Sequence, residues 1–162
     1  MPKKNVSIIY LKITIAIIAL TIILIGCKKS EPPDIEVIYV RNYNISYYYE
    51  YKIDLKNKQY SKAGPLDRSQ NVEDYELVCE LEDHKIDEFL CTVSEYKLLF
   101  WKELYKLPGE HHDGHQWSIK VIFTDSTSTG TNGDNHYPDT YDEMRIALKN
   151  LTGYVILDEK QK

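Results

Sequence analysis

The residues with the most chemical potential gather at a few points along the chain. His111-His112-Asp113-Gly114-His115 sets three imidazoles and a carboxylate close together, a donor set able to bind Zn²⁺, Cu²⁺ or Ni²⁺. A helix would bring His111 and His115 onto one face, but Pro108-Gly109 before the run and Gly114 within it favour a solvated loop. Asp125, Asp134, His136 and Asp139 form a second group. Its carboxylates and imidazole could move a proton or hold a cation. Aspartate is also an ordinary turn residue, chosen for backbone reasons alone, and that reading is preferred here. There is no Gly-x-Ser-x-Gly elbow, no His-Glu-x-x-His, no phosphate-binding glycine loop and no cysteine pair at metal spacing.

Tyrosine is frequent, 14 in all, with seven between Tyr39 and Tyr60. Such rings offer contact area with a polar tip, suited to a glycan or a protein partner. Which of them face outward depends on the strand that carries them. Tyr47, Tyr49, Tyr51, Ile53 and Leu55 alternate with Tyr48, Glu50, Lys52 and Asp54, so the first three tyrosines share an apolar face. That leaves Tyr43, Tyr48 and Tyr60 as the surface candidates.

The elements that must hold these groups follow from periodicity. Ile35 to Arg41 has strand composition, and Lys56-Asn57-Lys58 reads as a hairpin turn with Gln59 to Lys62 returning. Ala63 to Asp74 reads as a loop because of Gly64 and Pro65. Tyr75, Leu77, Cys79 and Leu81 alternate with more polar neighbours as a half-buried strand. From Asp83 the period becomes helical, with Ile86, Phe89, Leu90, Val93 and Lys97 on one face and Phe100, Trp101 and Leu104 continuing it. Trp117, Ile119, Val121 and Phe123 mark another strand, and Asp125 to Gly133 is a turn region with room for a short returning strand. Thr140 and Glu143 match a capping box ahead of Met144, Ala147, Leu148 and Leu151, and Gly153 supplies the stop. Tyr154 to Leu157 reads as a last short strand. The sum is an α+β domain: a mostly antiparallel sheet of about four to six strands with two main helices packed on one face, preceded by an N-terminal signal helix.

The first residues differ from the rest. Lys3 and Lys4 precede an apolar stretch whose uncharged run, Ile13 to Cys27, is 15 residues long. A membrane span needs about 20 predominantly apolar residues, so the pattern fits a secretory signal better. Leu24-Ile25-Gly26-Cys27 resembles the lipobox of bacterial lipoproteins. The resemblance implies diacylglycerylation of the Cys27 thiol, cleavage before it, and further acylation. Residues 1–26 are then the signal peptide, 27–34 the lipidated cysteine with a proline-containing flexible tether, and 35–162 a single globular domain. The implied address is the cell membrane or outer membrane, lipid-anchored and facing the extracytoplasmic side.

The full chain carries a formal net charge of −5, and loss of residues 1–26 leaves 17 basic and 25 acidic residues, a net charge of −8. That balance argues against nucleic acid as a partner and against a polybasic membrane clamp. Export would place Cys79 and Cys91 where a disulfide persists. Cys79 lies with the inward set of its strand and Cys91 on the flank of its helix stripe, leaving a disulfide and two free thiols as equal alternatives. The run from Trp117 to Asp125, followed by Gly133-x-Asn135-x-Tyr137-Pro138 and a capped helix, resembles uncharacterised envelope lipoprotein domains. The expected function is a non-enzymatic, membrane-anchored binding or interaction module without a cofactor, its partner an envelope protein or glycan. The alternatives are a metal-binding envelope protein using His111, His112, Asp113 and His115, and a small envelope-polymer hydrolase using the Asp125 to Asp139 group.

Overall fold

The computed structural model describes residues 33–43, 47–67, 72, 74–106 and 115–158. Cys27 with Leu24, Ile25 and Gly26, and also His111, His112 and Asp113, lie outside the described residues. Among the described residues, no helix is long and apolar enough to cross a membrane.

The strands are β1 (Ile35–Tyr43), β2 (Tyr47–Asp54), β3 (Gln59–Asp67), β4 (Glu76–Glu80), β5 (Leu104–Tyr105), β6 (Gln116–Phe123) and β7 (Ser128–Asp134). The helices are α1 (Asp83–Glu95), a 3₁₀ turn at Leu98–Phe100, and α2 (Tyr141–Thr152). The strands form one mixed sheet in the order β4-β3-β2-β1-β6-β7-β5, antiparallel throughout except for the parallel β5–β7 edge pair. The α+β class and the mostly antiparallel sheet are as expected, but there are seven strands rather than four to six.

Strand alternation divides the sheet into two faces. Register places Ile38 beside Ile53 and Val121, and Val40 beside Tyr51 and Ile119. This face forms one apolar cluster with Phe89 and Val93 of α1 and Met144, Leu148 and Leu151 of α2. Burying an aliphatic or aromatic side chain of this size contributes about 1.5–3 kcal/mol, so the two amphipathic helices are held here by their apolar stripes. The opposite face carries Tyr39, Arg41, Glu50, Ser118, Lys120, Gly130 and Asn132 at paired register positions.

Several expected boundaries move, each for a local reason. The region Ala63 to Asp67 is strand rather than loop: β3 runs on through Gly64-Pro65, absorbing them in a register shift opposite Tyr49. Helix α1 stops at Glu95. Continuing it would have set Lys97 on the apolar face; instead Lys97 turns left-handed at φ 51° and Leu98 enters the core. Phe100 and Leu104, expected to extend the stripe, are 84% and 59% exposed. Leu77 is 53% exposed because it pairs with Ser61 after a register shift in β4. Tyr154 to Leu157 forms no strand. Gly153 ends α2 at φ 81°, and the Ile156 carbonyl accepts a hydrogen bond from the Asn42 side chain rather than joining a ladder.

Candidate functional site

The described residues of the expected sites are not brought together. His115 opens into β6 and is buried. Its Nδ1 lies 3.0 Å from the Tyr137 hydroxyl, and its backbone N–H donates to Asn135 Oδ1 at 2.8 Å. Nε2 has no hydrogen-bond partner, and the nearest carboxylate, Asp158, stands 3.6 Å away. Burial lowers the imidazole pKa, and Asp158 opposes this only in part. Among the described residues, no group of three His, Cys, Asp or Glu side chains is arranged to hold a metal.

The aspartate group is split by β7. Asp125 lies in the β6–β7 turn, where it accepts from the Thr127 N–H at 2.9 Å and the Thr127 hydroxyl at 2.6 Å. Asp134 is at the other end of the strand, roughly 20 Å away at the usual rise per residue, with Lys106 at 3.6 Å. His136 packs beside the Tyr105 ring. Asp125 thus has a turn role and stands apart from Asp134 and His136 at the other end of β7.

Cys79 and Cys91 are free thiols. Cys79 points at the Thr152 carbonyl, 3.8 Å away, and burial pushes its pKa up, away from the reactive thiolate.

The tyrosine assignments are largely exchanged. Tyr48 and Tyr60, expected at the surface, are 4% and 2% exposed, whereas Tyr47 is 39% exposed. Tyr47, Tyr49 and Tyr51 share the face of Ile53, as strand alternation requires. However, the buried cluster ends before Tyr47, while the extended β3 sets Leu66 opposite Tyr48. Tyr60 sits between Ile53 and Cys79 on the helix side.

The concavity lies elsewhere, on the face opposite the helices. A groove of about 580 Å³ runs across β1, β6 and β7, lined among others by Tyr39, Arg41, Glu50, Ser118, Lys120, Gly130 and Asn132. Its shape follows from side-chain size. Tyr39, whose ring centroid lies 6.5 Å from that of Tyr75, stands on one flank, while β7 contributes the short side chains Ser128, Gly130 and Asn132 on the other. Tall residues beside short ones on a pleated sheet leave a trough.

At its wall, Glu50 is buried and both carboxylate oxygens are used. Arg41 Nε–H donates to one and the Tyr75 hydroxyl to the other. The Arg41 guanidinium also lies over the Tyr48 ring, 5.5 Å from its centroid. Burial alone would lower the Arg41 pKa, but hydrogen bonds with Tyr43 and Glu50 and the Glu50 charge reverse this and raise it. Burial and the bond to Glu50 push the Tyr75 pKa up. Both groups therefore stay protonated near neutrality and act as fixed donors.

Sequence reading missed this groove because its signal is weak. Arg41 and Glu50 look like ordinary polar members of amphipathic strands, and the Ser/Thr/Gly run of β7 lacks the apolar alternation that announces a strand. Comparisons of the chain with protein-family models, curated proteins and solved structures found no match.

Proposed function

We propose that this chain is a non-enzymatic binding module, anchored by lipid on Cys27 at the extracytoplasmic side of a membrane, that holds a polar envelope ligand on the helix-free face of its sheet. The observation that carries the reading is the groove built around the buried Glu50. Its volume falls in the usual range for ligand sites, about 300–1,000 Å³, and its polar lining suits a hydrophilic occupant. Arg41, Tyr75 and Glu50 lock one another in place, so the donors are organised before any ligand arrives, which lowers the entropic cost of binding. Hydrogen bonding with Glu50 and Tyr43 keeps the Arg41 charge on the wall, which suits recognition of a polar ligand. The lipobox-like Leu24-Ile25-Gly26-Cys27 supports the anchor, and the acidic balance of the chain fits attachment by lipid rather than by charge.

A photo-crosslinking residue at Asn132, on the groove, and another at Ile146, exposed on α2, test the proposal in intact cells. The expected result is a recurrent adduct, protein or glycan by mass, from position 132 and not from 146. Adducts at equal yield from both positions, or from neither, would remove the groove as the binding face.

A further inference from the structure

We infer that the groove takes a hydroxyl-rich ligand bearing an oxyanion, a carboxylate on a sugar or a phosphate on a sugar or polyol, held between Arg41 and Lys120. This rests on the groove being the binding face and names the chemistry of its occupant.

The charge inventory points to an anion. The chain as a whole is acidic, at −5, yet the charged residues of the groove are Arg41, Lys120 and Glu50. Glu50 is engaged inside the protein: its side chain is 4% exposed and both its oxygens accept from Arg41 and Tyr75. What the groove offers a ligand is therefore the exposed donors of Arg41, whose charge Glu50 balances, and one uncompensated cation, Lys120. Lys120 is exposed, and among the described residues no carboxylate pairs with it. Arg41 keeps 44% of its side chain exposed while Glu50 grips only its Nε. A guanidinium carries five donors in a rigid fork; Tyr43 is a second hydrogen-bond partner of Arg41, and the exposed donors left by Glu50 and Tyr43 are what the fork offers to oxygen acceptors in the groove.

Register supplies the spacing. Arg41 lies opposite Ser118, and Lys120 lies opposite Tyr39. The two cations are thus diagonal neighbours on adjacent strands, with Cα atoms roughly 7–8 Å apart in such pairs. Both line the groove, and two long side chains at that Cα separation are within reach of a single carboxylate or phosphate. Ser118 faces Asn132 across β6 and β7, and their hydroxyl and amide suit ligand hydroxyls beside the anion. The Tyr39 ring on the groove offers surface to the apolar face of a sugar.

Gly130 makes the depth. It sits directly opposite Lys120, and a Cβ placed there would meet nothing nearer than the Ile119 carbonyl oxygen at 3.5 Å. A side chain at this position fills the groove without striking the sheet, which provides a clean block.

The test is calorimetric titration of the full chain in detergent micelles at low ionic strength. The probes are digalacturonate for the carboxylate source, glycerol 3-phosphate for the phosphate source and cellobiose as the neutral control. At least one anionic probe should bind, cellobiose at least tenfold more weakly or not at all. Lys120→Gln should weaken the anion tenfold or more, added salt should weaken it as well, and Gly130→Leu should abolish binding while the thermal midpoint holds. Which anion binds assigns the source. Cellobiose binding as well as the anions, or Lys120→Gln binding the anion like wild type, overturns the inference. If cellobiose alone binds and Gly130→Leu removes it, the groove reading stands and the anion inference fails. Binding of every probe unchanged in Gly130→Leu overturns both. No binding of any probe, with a crosslink still captured at position 132, overturns the anion inference alone.

Discussion

His115 is a residue whose type suggests chemistry that its surroundings suppress. Its ring is enclosed at the start of β6, with the Tyr137 hydroxyl on Nδ1 and the Asp158 carboxylate standing off Nε2. Charging the ring would cost desolvation that a carboxylate 3.6 Å away and 63% exposed to water does not offset, which is why the pKa falls. The sign for stability follows from this. An unfolded histidine titrates near about 6.5, so as pH falls the unfolded chain takes up the proton before the folded one does. The stabilising contribution is complete above that value and is lost as pH drops toward and through the depressed folded value. His115→Gln cannot titrate. Its deficit in thermal midpoint against wild type should therefore be largest near about pH 7.5 and shrink by about pH 5. Melting curves of both proteins across that range check it, and a deficit that does not change with pH would show that this imidazole is not linked to folding. Tyr137 and Asp158, the groups facing the ring, are common to both proteins.

At the scale of elements, the segment from β6 to α2 shows what the order of residues reveals and what it hides. Strand β6 was legible because its apolar residues alternate strictly, and α2 because Met144, Ala147, Leu148 and Leu151 fall on one stripe, all of them buried. The spaced glycine, asparagine and tyrosine between them were visible as a pattern, but their purpose needed the fold. Trp117 lies over Gly133, Asn135 turns left-handed at φ 50° and closes on the His115 backbone, and Tyr137 stacks on the Trp117 ring at 6.2 Å. The capping box at Thr140 and Glu143 does not form. Thr140 Oγ1 instead accepts from Trp101 Nε1 at 2.8 Å, a contact joining segments 39 positions apart that no local motif could announce. The end of α1 and the continuation of β3 were hidden for related reasons. A left-handed lysine carries no glycine signature, and Gly64-Pro65 reads as a breaker unless the neighbouring strand is known to absorb it. Gly133 tests the packing directly, because a Cβ there would lie 2.2 Å from the Trp117 ring. Gly133→Ala must displace the indole from the centre of the aromatic cluster, and overpacking of this kind costs about 1–3 kcal/mol. Urea unfolding should show a lower midpoint and an unfolding free energy reduced by that amount, with altered tryptophan fluorescence in the folded state. An unchanged midpoint and spectrum would mean that the ring has room to move without loss.

For the whole molecule, the proposed anchor and the proposed groove make complementary demands on charge. A −8 chain after cleavage at Cys27 is repelled by anionic headgroups, so it has no electrostatic hold on a membrane surface and depends on acyl chains. The same overall acidity disfavours anionic ligands in general, so an anion would need the local cations Arg41 and Lys120 of the groove to be held there. On the proposed reading lipid attachment would carry the whole burden of location, and its loss should separate location from binding. On this reading wild type labels with an alkyne fatty acid, migrates as the shorter processed form, and stays in the membrane fraction through a high-salt wash that strips charge-held proteins. Cys27→Ser should take up no label and persist at precursor size, because the thiol that accepts the lipid precedes cleavage. Its groove should bind an Arg41–Lys120 ligand as wild type does, since no groove residue is altered. Wild type without label, or of the same size as Cys27→Ser, would refute the lipid anchor, and release of wild type by salt alone would show that charge holds this acidic chain after all.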